Sequence, residues 1–465
     1  MSRLFRVLLV FIMLAAVLPP VTSQASSQDL SLDQQNCLAM IALYGPGGAY
    51  GSLGGATYCT VIPANWNHDV VIFAHGYVDP TMPDPLGIPY EQLLFPGSTD
   101  TLPGLVTKLG YAFAITSYSK KGLAVKEGVM DVVALANEFK TQNSGTRFVY
   151  LIGASEGGLV TTLGIEKYGG QVFKGGVATC GPVGDFQKQV NYWGDFRVIF
   201  DFFFPGVLPP DPVTIPPSLP DEWRTYQTIQ VGPFFIPNPL PGPKQQAVAG
   251  LVSAGMLAPQ RPTLNLIATT QAPVDLANLG PTALETTLGI LSYNILATQD
   301  GIETLGGLPF NNKAPKTLYH DPLHPAYDLV MNADGGVFRI ESQNPDLHEY
   351  QTTGHLGAPL VTMHTTGDPI VPYWHESLYF KKVLSEGSFR KYINIPILRY
   401  GHCNFKVSEA LFAFWLMVIR SGVRQGTMMD AANSLTNPEE RDLFIQMAAP
   451  YNQDGFKIYL PITIK

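Results

Sequence analysis

Near the end of the first third of the chain, a serine stands between glycines: Gly153-Ala154-Ser155-Glu156-Gly157, directly after the apolar run Phe148 to Ile152 and directly before a helical pattern. A serine hydroxyl is a weak nucleophile, so chemistry at Ser155 needs a histidine to take its proton and an acid to hold that imidazole. Glycines at 153 and 157 permit the tight strand-to-helix turn that lifts a nucleophile clear of a sheet. Downstream, Gly367-Asp368-Pro369 closes the run Leu360 to His364, and Tyr400-Gly401-His402 closes Ile393 to Leu398. Ser155, Asp368 and His402 thus stand in the chain order serine, acid, histidine, each expected at a strand end. Asp368 could instead be a turn-forming aspartate, and His402 a structural histidine. His75, His348, His355 and His364 precede Asp368 and fall outside that order; His375 follows it and is the one rival to His402.

Acyl transfer also needs donors for a developing oxyanion, each worth about 10² to 10³ in rate. The backbone N–H of Glu156 follows the nucleophile and is the first candidate. The second is the N–H of Tyr77, in Ala74-His75-Gly76-Tyr77 after the run Val70 to Ala74, with Gly76 allowing a close approach. A simple strand terminator is the alternative for His75-Gly76.

These residues require a scaffold of buried strands ending on one edge. Val70–Ala74, Ala112–Thr116, Phe148–Ile152 and Gly176–Thr179 are short apolar runs of strand type, and Val125 to Gln142 carries apolar residues at helical spacing. Gly158 to Tyr168 is a second helix. Alternation of strand and helix predicts right-handed crossovers and a largely parallel sheet. The rhythm breaks from Gly181 to about His355, a stretch rich in proline and aromatics, where 245–256 and 281–298 have helical composition. It resumes with the runs 360–364 and 393–398 and an apolar helix over 407–423, while Asn437-Pro438-Glu439-Glu440 has the form of a helix start.

The set His75-Gly76, Gly153-x-Ser155-x-Gly157, Gly367-Asp368-Pro369 and Gly401-His402 resembles the α/β-hydrolase superfamily in content and order. The resemblance implies an α/β-hydrolase fold, a mostly parallel central sheet flanked by helices, with the insertion acting as a cap domain. It implies 24–181 as the first part of the core, 182–355 as the cap and 356–423 as the second part of the core, between a leader at 1–23 and a C-terminal extension at 424–465 that are read from the residues themselves. His402-Cys403 is similar to secreted tannase and feruloyl-esterase relatives, in which a disulfide ties the serine and histidine segments. Here Ala154, where those relatives have Cys, precedes Ser155. The Ser-Glu-Gly-Gly turn also looks like that of secreted prolyl-peptidase-like hydrolases.

Of the three pairings open to Cys37, Cys59, Cys180 and Cys403, the fold so implied favours Cys180 with Cys403, at one edge of the sheet, leaving the local pair Cys37 with Cys59. Free buried thiols are the alternative. Disulfides need an oxidising compartment, and the first residues supply a route to one. Arg3 and Arg6 precede an apolar run from Val7 to Leu18, too short to span a bilayer, and then Val21-Thr22-Ser23. Cleavage there would start the mature chain near Gln24 and take the net charge from −8 to about −10. That acidic balance excludes nucleic acid and anionic lipid as partners on electrostatic grounds, and no other run suggests a membrane span. No metal or cofactor motif is present: His320-Asp321 with His324, and Asn332 with Asp334, match no zinc or calcium spacing.

The expectation is a secreted serine hydrolase acting on a small-molecule or oligomeric carboxylic ester. Trp193, Phe196, Phe200, Phe202, Phe203, Phe204, Trp223, Phe234 and Phe235 in the insertion suggest an apolar or aromatic acyl group, unless they form the insertion's own core. An amide- or peptide-cleaving enzyme of prolyl-peptidase type is the alternative, and a non-catalytic binding protein that keeps the fold is another.

Overall fold

The computed structural model describes residues 30–82, 87–95, 97–423 and 427–451. The expected leader at 1–23 lies outside them. In chain order the helices are α1 (Leu32–Tyr44), α2 (Leu102–Lys108), α3 (Val125–Gln142), α4 (Glu156–Tyr168), α5 (Phe186–Phe203), α6 (Leu219–Trp223), α7 (Pro243–Leu257), α8 (Pro262–Thr270), α9 (Leu279–Leu305), α10 (Ala326–Asn332), α11 (Trp374–Ser385), α12 (Val407–Arg420), α13 (Met428–Asn433) and α14 (Pro438–Ala448). The strands are β1 (Gly47–Leu53), β2 (Ala56–Ile62), β3 (Asp69–Ala74), β4 (Ala112–Thr116), β5 (Phe148–Ala154), β6 (Gly175–Thr179), β7 (Arg224–Val231), β8 (Phe234–Pro241), β9 (Leu360–Gly367) and β10 (Tyr392–Tyr400).

Eight strands form one sheet in the order β1-β2-β4-β3-β5-β6-β9-β10, parallel from β4 to β10, with β1 and β2 joined antiparallel at one edge. Period-two alternation sorts the central side chains. Val71, Phe73, Tyr150 and Ile152 face α12 and the N-terminal helices, whereas Val70, Ile72, Val149 and Leu151 face α3 and α4. Since β4 and β5 lie on opposite sides of β3, the chain reverses direction there. The carboxyl ends of β3 and β5, where such reversals leave a crevice, are adjacent, with Ala74 opposite Gly153.

All six strands expected from apolar runs are present, but two hairpins were not anticipated. The β1–β2 hairpin is glycine-rich on β1 and offers no alternating apolar pattern. The second is β7–β8, a two-stranded antiparallel sheet containing Pro237, Pro239 and Pro241. Spaced two apart, these prolines put all three missing N–H groups on the same, open edge of β8, the position where a strand tolerates proline.

Between β6 and β9, helices α5 to α9 gather a third apolar cluster around Phe196, Phe200, Trp223, Ile290 and Leu291. Four of the aromatics proposed above as an acyl lining, Phe196, Phe200, Phe204 and Trp223, are buried in that cluster. Phe234 leaves it altogether: the β7–β8 hairpin carries it onto Tyr90, where the rings stack at 5.8 Å, and Asn36 on α1 both donates to the Phe235 carbonyl and accepts its N–H, each at 2.7 Å. At the C-terminus α14, capped by Asn437, buries Phe444 edge-on against Trp415 of α12. An element apolar on both sides, α12 is covered by the sheet on one face and by α14 on the other. Among the described residues no helix is long and apolar enough to cross a membrane.

Candidate active site

Ser155 sits between β5 and α4 with φ 58° and ψ −123°, a conformation costly for a residue with a side chain. The flanking glycines are obligatory. A Cβ on Gly153 would lie 2.1 Å from the Gly157 carbonyl oxygen, and one on Gly157 would lie 1.9 Å from that of Ala74. The Ser155 N–H is held by the Thr179 carbonyl of β6 at 2.9 Å, so the turn is anchored across the sheet.

From the ends of the next two strands come Asp368 and His402. His402 Nδ1 lies 2.7 Å from Asp368 Oδ2, and its Nε2 lies 2.9 Å from Ser155 Oγ. Asp368 is fully buried, and its Oδ1 accepts the N–H groups of Ile370 and Val371, both at 2.9 Å. Burial alone would raise the Asp368 pKa; attraction to His402 and a hydrogen bond from His364 outweigh it and bring the pKa down to about 2. Ionised Asp368 therefore receives the Nδ1 proton, which leaves the Nε2 lone pair facing the serine hydroxyl. That is the arrangement in which a serine can be deprotonated as it attacks.

The His402 segment is held by the Cys180–Cys403 disulfide, with Cα atoms 5.4 Å apart, and by Thr365 Oγ1, which donates to the Gly401 carbonyl at 2.6 Å. Cys37 is joined to Cys59. The rival His375 is buried elsewhere. Its Nδ1 accepts the N–H of Gly184 at 3.0 Å and its Nε2 lies 2.8 Å from Gln189 Oε1, so it ties α5 to α11. His75 is also buried, stacked on Tyr118 at 3.7 Å, and desolvation lowers its pKa to about 4.

Gly76 comes close enough to the serine turn that a Cβ there would lie 3.1 Å from both the Ala154 oxygen and Ser155 Cβ. Gln92, which no motif pointed to, accepts the Gly76 N–H at 2.6 Å and fixes this loop. The N–H of Tyr77 donates to no protein group among the described residues. The Glu156 N–H opens α4, where the first amides of a helix have no intrahelical acceptor. The Glu156 side chain turns away to accept the Ala124 N–H at 2.8 Å, and burial pushes its pKa up to about 8.

The inserted helices contribute directly. On α5, Tyr192 Oη donates to the Pro369 carbonyl at 2.8 Å, while Gln189 Nε2 and Trp193 Nε1 donate to that of Ile370 at 2.9 and 3.0 Å. On α9, Tyr400 at the end of β10 donates to the Thr282 carbonyl at 3.1 Å and lies 2.9 Å from Thr286 Oγ1. Both the Asp368 and the His402 loops are thus braced from above. Tyr293 of α9, stacked on Trp193 at 4.7 Å, presents its hydroxyl to Ser155.

Beside Ser155 these helices and the core enclose about 980 Å³ of space free of protein atoms, counting the part open to solvent. Its walls are mostly apolar, with Leu123, Val190, Trp193, Leu305, Leu308 and Phe310 among them. Of the aromatics expected to line an acyl site, Trp193 does so; Tyr77, Phe186, Tyr293 and Phe310 are further aromatic walls. Among the described residues the one group of three side chains spaced to hold a metal is Cys180, His402 and Cys403, and both sulfurs there are in the disulfide. His320 instead pairs with Asp328 at 2.6 Å.

No protein-family model matches the chain, and no curated protein sequence is significantly similar to it. Solved structures do match. An esterase from Aspergillus oryzae is 12% identical, with 82% of this chain and 80% of that one covered and a TM-score of 0.43. Feruloyl esterase B from the same organism is 14% identical, covering 76% and 72%, at a TM-score of 0.40. The acylaminoacyl peptidase of Pyrococcus horikoshii is 11% identical, covering 84% of this chain, at a TM-score of 0.35; this chain spans only 44% of that protein's length. By its own sheet order, its antiparallel second strand and the long excursion between β6 and β9, the chain has the α/β-hydrolase fold.

Proposed function

We propose that the protein is a secreted serine hydrolase that cleaves carboxylic esters through an acyl-enzyme, with an apolar or aromatic acyl group beside Ser155. The observation that carries this is the unbroken chain Ser155 Oγ, His402, Asp368, at 2.9 and 2.7 Å, opening on an apolar cavity. Ser155 Oγ attacks the ester carbonyl carbon while His402 Nε2 takes its proton. The negative oxygen that forms is received by the N–H groups of Glu156 and Tyr77. Collapse expels the alcohol, which leaves with the proton from His402. Water, deprotonated in turn by His402, then releases the acid and restores Ser155. The segment 182–355 serves as the cap whose helices wall the acyl site. Two disulfides support an oxidising destination.

The test is labelling with a fluorophosphonate, which reacts only with an activated serine. Wild type is expected to label, and Ser155→Ala and His402→Ala to fail. Labelling that survives Ser155→Ala overturns the nucleophile, and an inert wild type favours a binding protein. Turnover of short and long acyl esters, hydroxycinnamate esters and prolyl amides then ranks the substrate classes.

A further inference from the structure

Behind Asp368 lies a second imidazole and carboxylate that the triad does not use. His364, at an inward position of β9, is wholly buried. Its Nε2 is 2.8 Å from the Val371 carbonyl and 3.4 Å from Asp368 Oδ2; its Nδ1 is 3.0 Å from Glu376 Oε1. Glu376, in the first turn of α11, is almost completely buried, and its Oε2 accepts Thr362 Oγ1 at 2.6 Å, Tyr392 Oη at 2.8 Å and Asn394 Nδ2 at 2.9 Å.

The protonation states follow from the donors and acceptors. A carbonyl oxygen only accepts, so His364 Nε2 carries a proton. The Asn394 amide and the Thr362 and Tyr392 hydroxyls, themselves 2.9 Å apart, all close on Glu376 Oε2, surroundings that suit a carboxylate accepting at both oxygens; Nδ1, facing Oε1, then also carries a proton. With both ring nitrogens protonated, His364 is an imidazolium, buried between two carboxylates. The charged and titratable groups that face this cluster are Asp368 on its own strand end, Glu376 and His375 on α11, Tyr373 before it, Tyr392 on β10 and His402 across Asp368.

We propose that His364 and Glu376 are positioning residues, a permanent imidazolium–carboxylate pair that orients Asp368 from behind and limits the negative charge it presents to His402. The proposal rests on the triad assignment above. Asp368, Glu376 and the His364 cation sum to one negative charge, which the His402 cation formed during acyl transfer neutralises. Without the His364 cation two buried carboxylates would face His402, which would hold its proton to higher pH and be protonated, hence unable to act as base, over a wider range. Burial alone would deprotonate His364, but its hydrogen bonds to Asp368 and Glu376 raise its pKa to about 10.

The experiment measures the rate of fluorophosphonate labelling against pH for wild type, His364→Gln and His364→Gln/Glu376→Gln. The acid limb, which reports His402, is expected to move up by about one to two pH units in the single variant. It should return toward wild type in the double variant, where the cluster again sums to one negative charge. An acid limb that stays in place in a single variant that still labels overturns the proposal, as does a double variant that stays shifted. Wild type that does not label overturns the triad assignment itself. For variants that do not fold, NMR of the ring nitrogens of wild type at about pH 8, above the usual histidine range, decides the matter: one fully buried histidine with both nitrogens protonated is expected, and none overturns it.

Discussion

Replacing Asp368 by Asn tests the proposed triad most sharply, because the substitution changes few atoms and the surroundings dictate how the amide must lie. Three N–H groups bond to the carboxylate, those of Ile370 and Val371 on Oδ1 and that of His402 on Oδ2, and His364 Nε2, bonded to the Val371 carbonyl, lies 3.4 Å from Oδ2. Asparagine brings one acceptor and two donors to a site furnished only with donors. If its NH₂ faced Ile370 and Val371, two buried N–H groups would lose their acceptor, at roughly 1–3 kcal/mol each. The oxygen therefore keeps those two, and the NH₂ points at His402 Nδ1. Nδ1 must then be the unprotonated nitrogen, and the proton moves to Nε2, where it blocks Ser155. The expected loss in kcat is on the order of 10⁴, or about 5.5 kcal/mol. KM should stay within about threefold, since no wall of the cavity changes. The assay is steady-state hydrolysis of a chromogenic ester of medium chain length, with Ser155→Ala as the floor. A loss of less than about tenfold with the fold intact would refute the claim that Asp368 sets the tautomer of His402.

Three other outcomes are expected. Ala297→Trp, which fills the cavity wall on α9, should cut kcat/KM for long acyl esters by about 10² while leaving acetyl esters within about threefold, the range of a few kcal/mol of lost apolar contact; equal losses on both would remove the cavity from the acyl site. Gly157→Ala, whose Cβ would overlap the Ala74 oxygen, should destabilise by more than about 3 kcal/mol or abolish folding, and a thermal melt near wild type would contradict the turn geometry. Stability should fall as pH rises above about 6.5. The pKa of Glu156 is raised to about 8 by burial, and that of His364 to about 10 by its carboxylate partners against the effect of burial. A group with a raised folded pKa contributes fully below its unfolded value and loses that contribution as pH climbs through the folded one. His75, lowered to about 4, acts oppositely, but its effect is complete near pH 6.5. Melting temperatures measured from pH 6.5 to 10 should decline throughout, and a flat profile would show that these buried charge states are misassigned.

The parts of the site that could be seen in the sequence are those in which chemistry imposes a local pattern. Gly153, Gly157 and Gly76 stand where a side chain would strike backbone oxygen, and such constraints leave their mark within a few residues. Asp368 and His402 end apolar runs, so period and punctuation located them. Gln92, Tyr293 and the pair His364–Glu376 impose nothing local, since their partners come from other elements. Chain order sets His364 aside as a base, yet the same residue is one of the most informative in the strand. Thr362 and His364 alternate with the apolar Val361 and Met363 in the buried half of β9, and a polar pair on one inward face demands partners. The three prolines of β8, spaced two apart, were a comparable signal: a period that fits only an edge strand.

The hydrogen bonds from α5 and α9 bear on how the cap can work. Tyr192, Gln189 and Trp193 hold the carbonyls that follow Asp368, and Thr282 and Thr286 hold Tyr400, two residues before His402. Lifting these helices as a rigid lid would break five hydrogen bonds and release both loops that orient the imidazole. At roughly 0.5–1.5 kcal/mol each, those bonds together resist opening by several kcal/mol. The N-terminal parts of α5 and α9 therefore belong mechanically to the proposed base, His402, and on that reading substrate enters past segments that make no such contacts. Candidate gates are the proline-stiffened stretch around Pro212 and Val213 and the turn around Pro309, which line the cavity and whose carbonyls are held by Asn294 and Gln187 rather than by the Asp368 or His402 loops. On the proposed function, the inserted segment combines two parts: a fixed brace over the proposed triad, and a rim through which the acyl chain would enter.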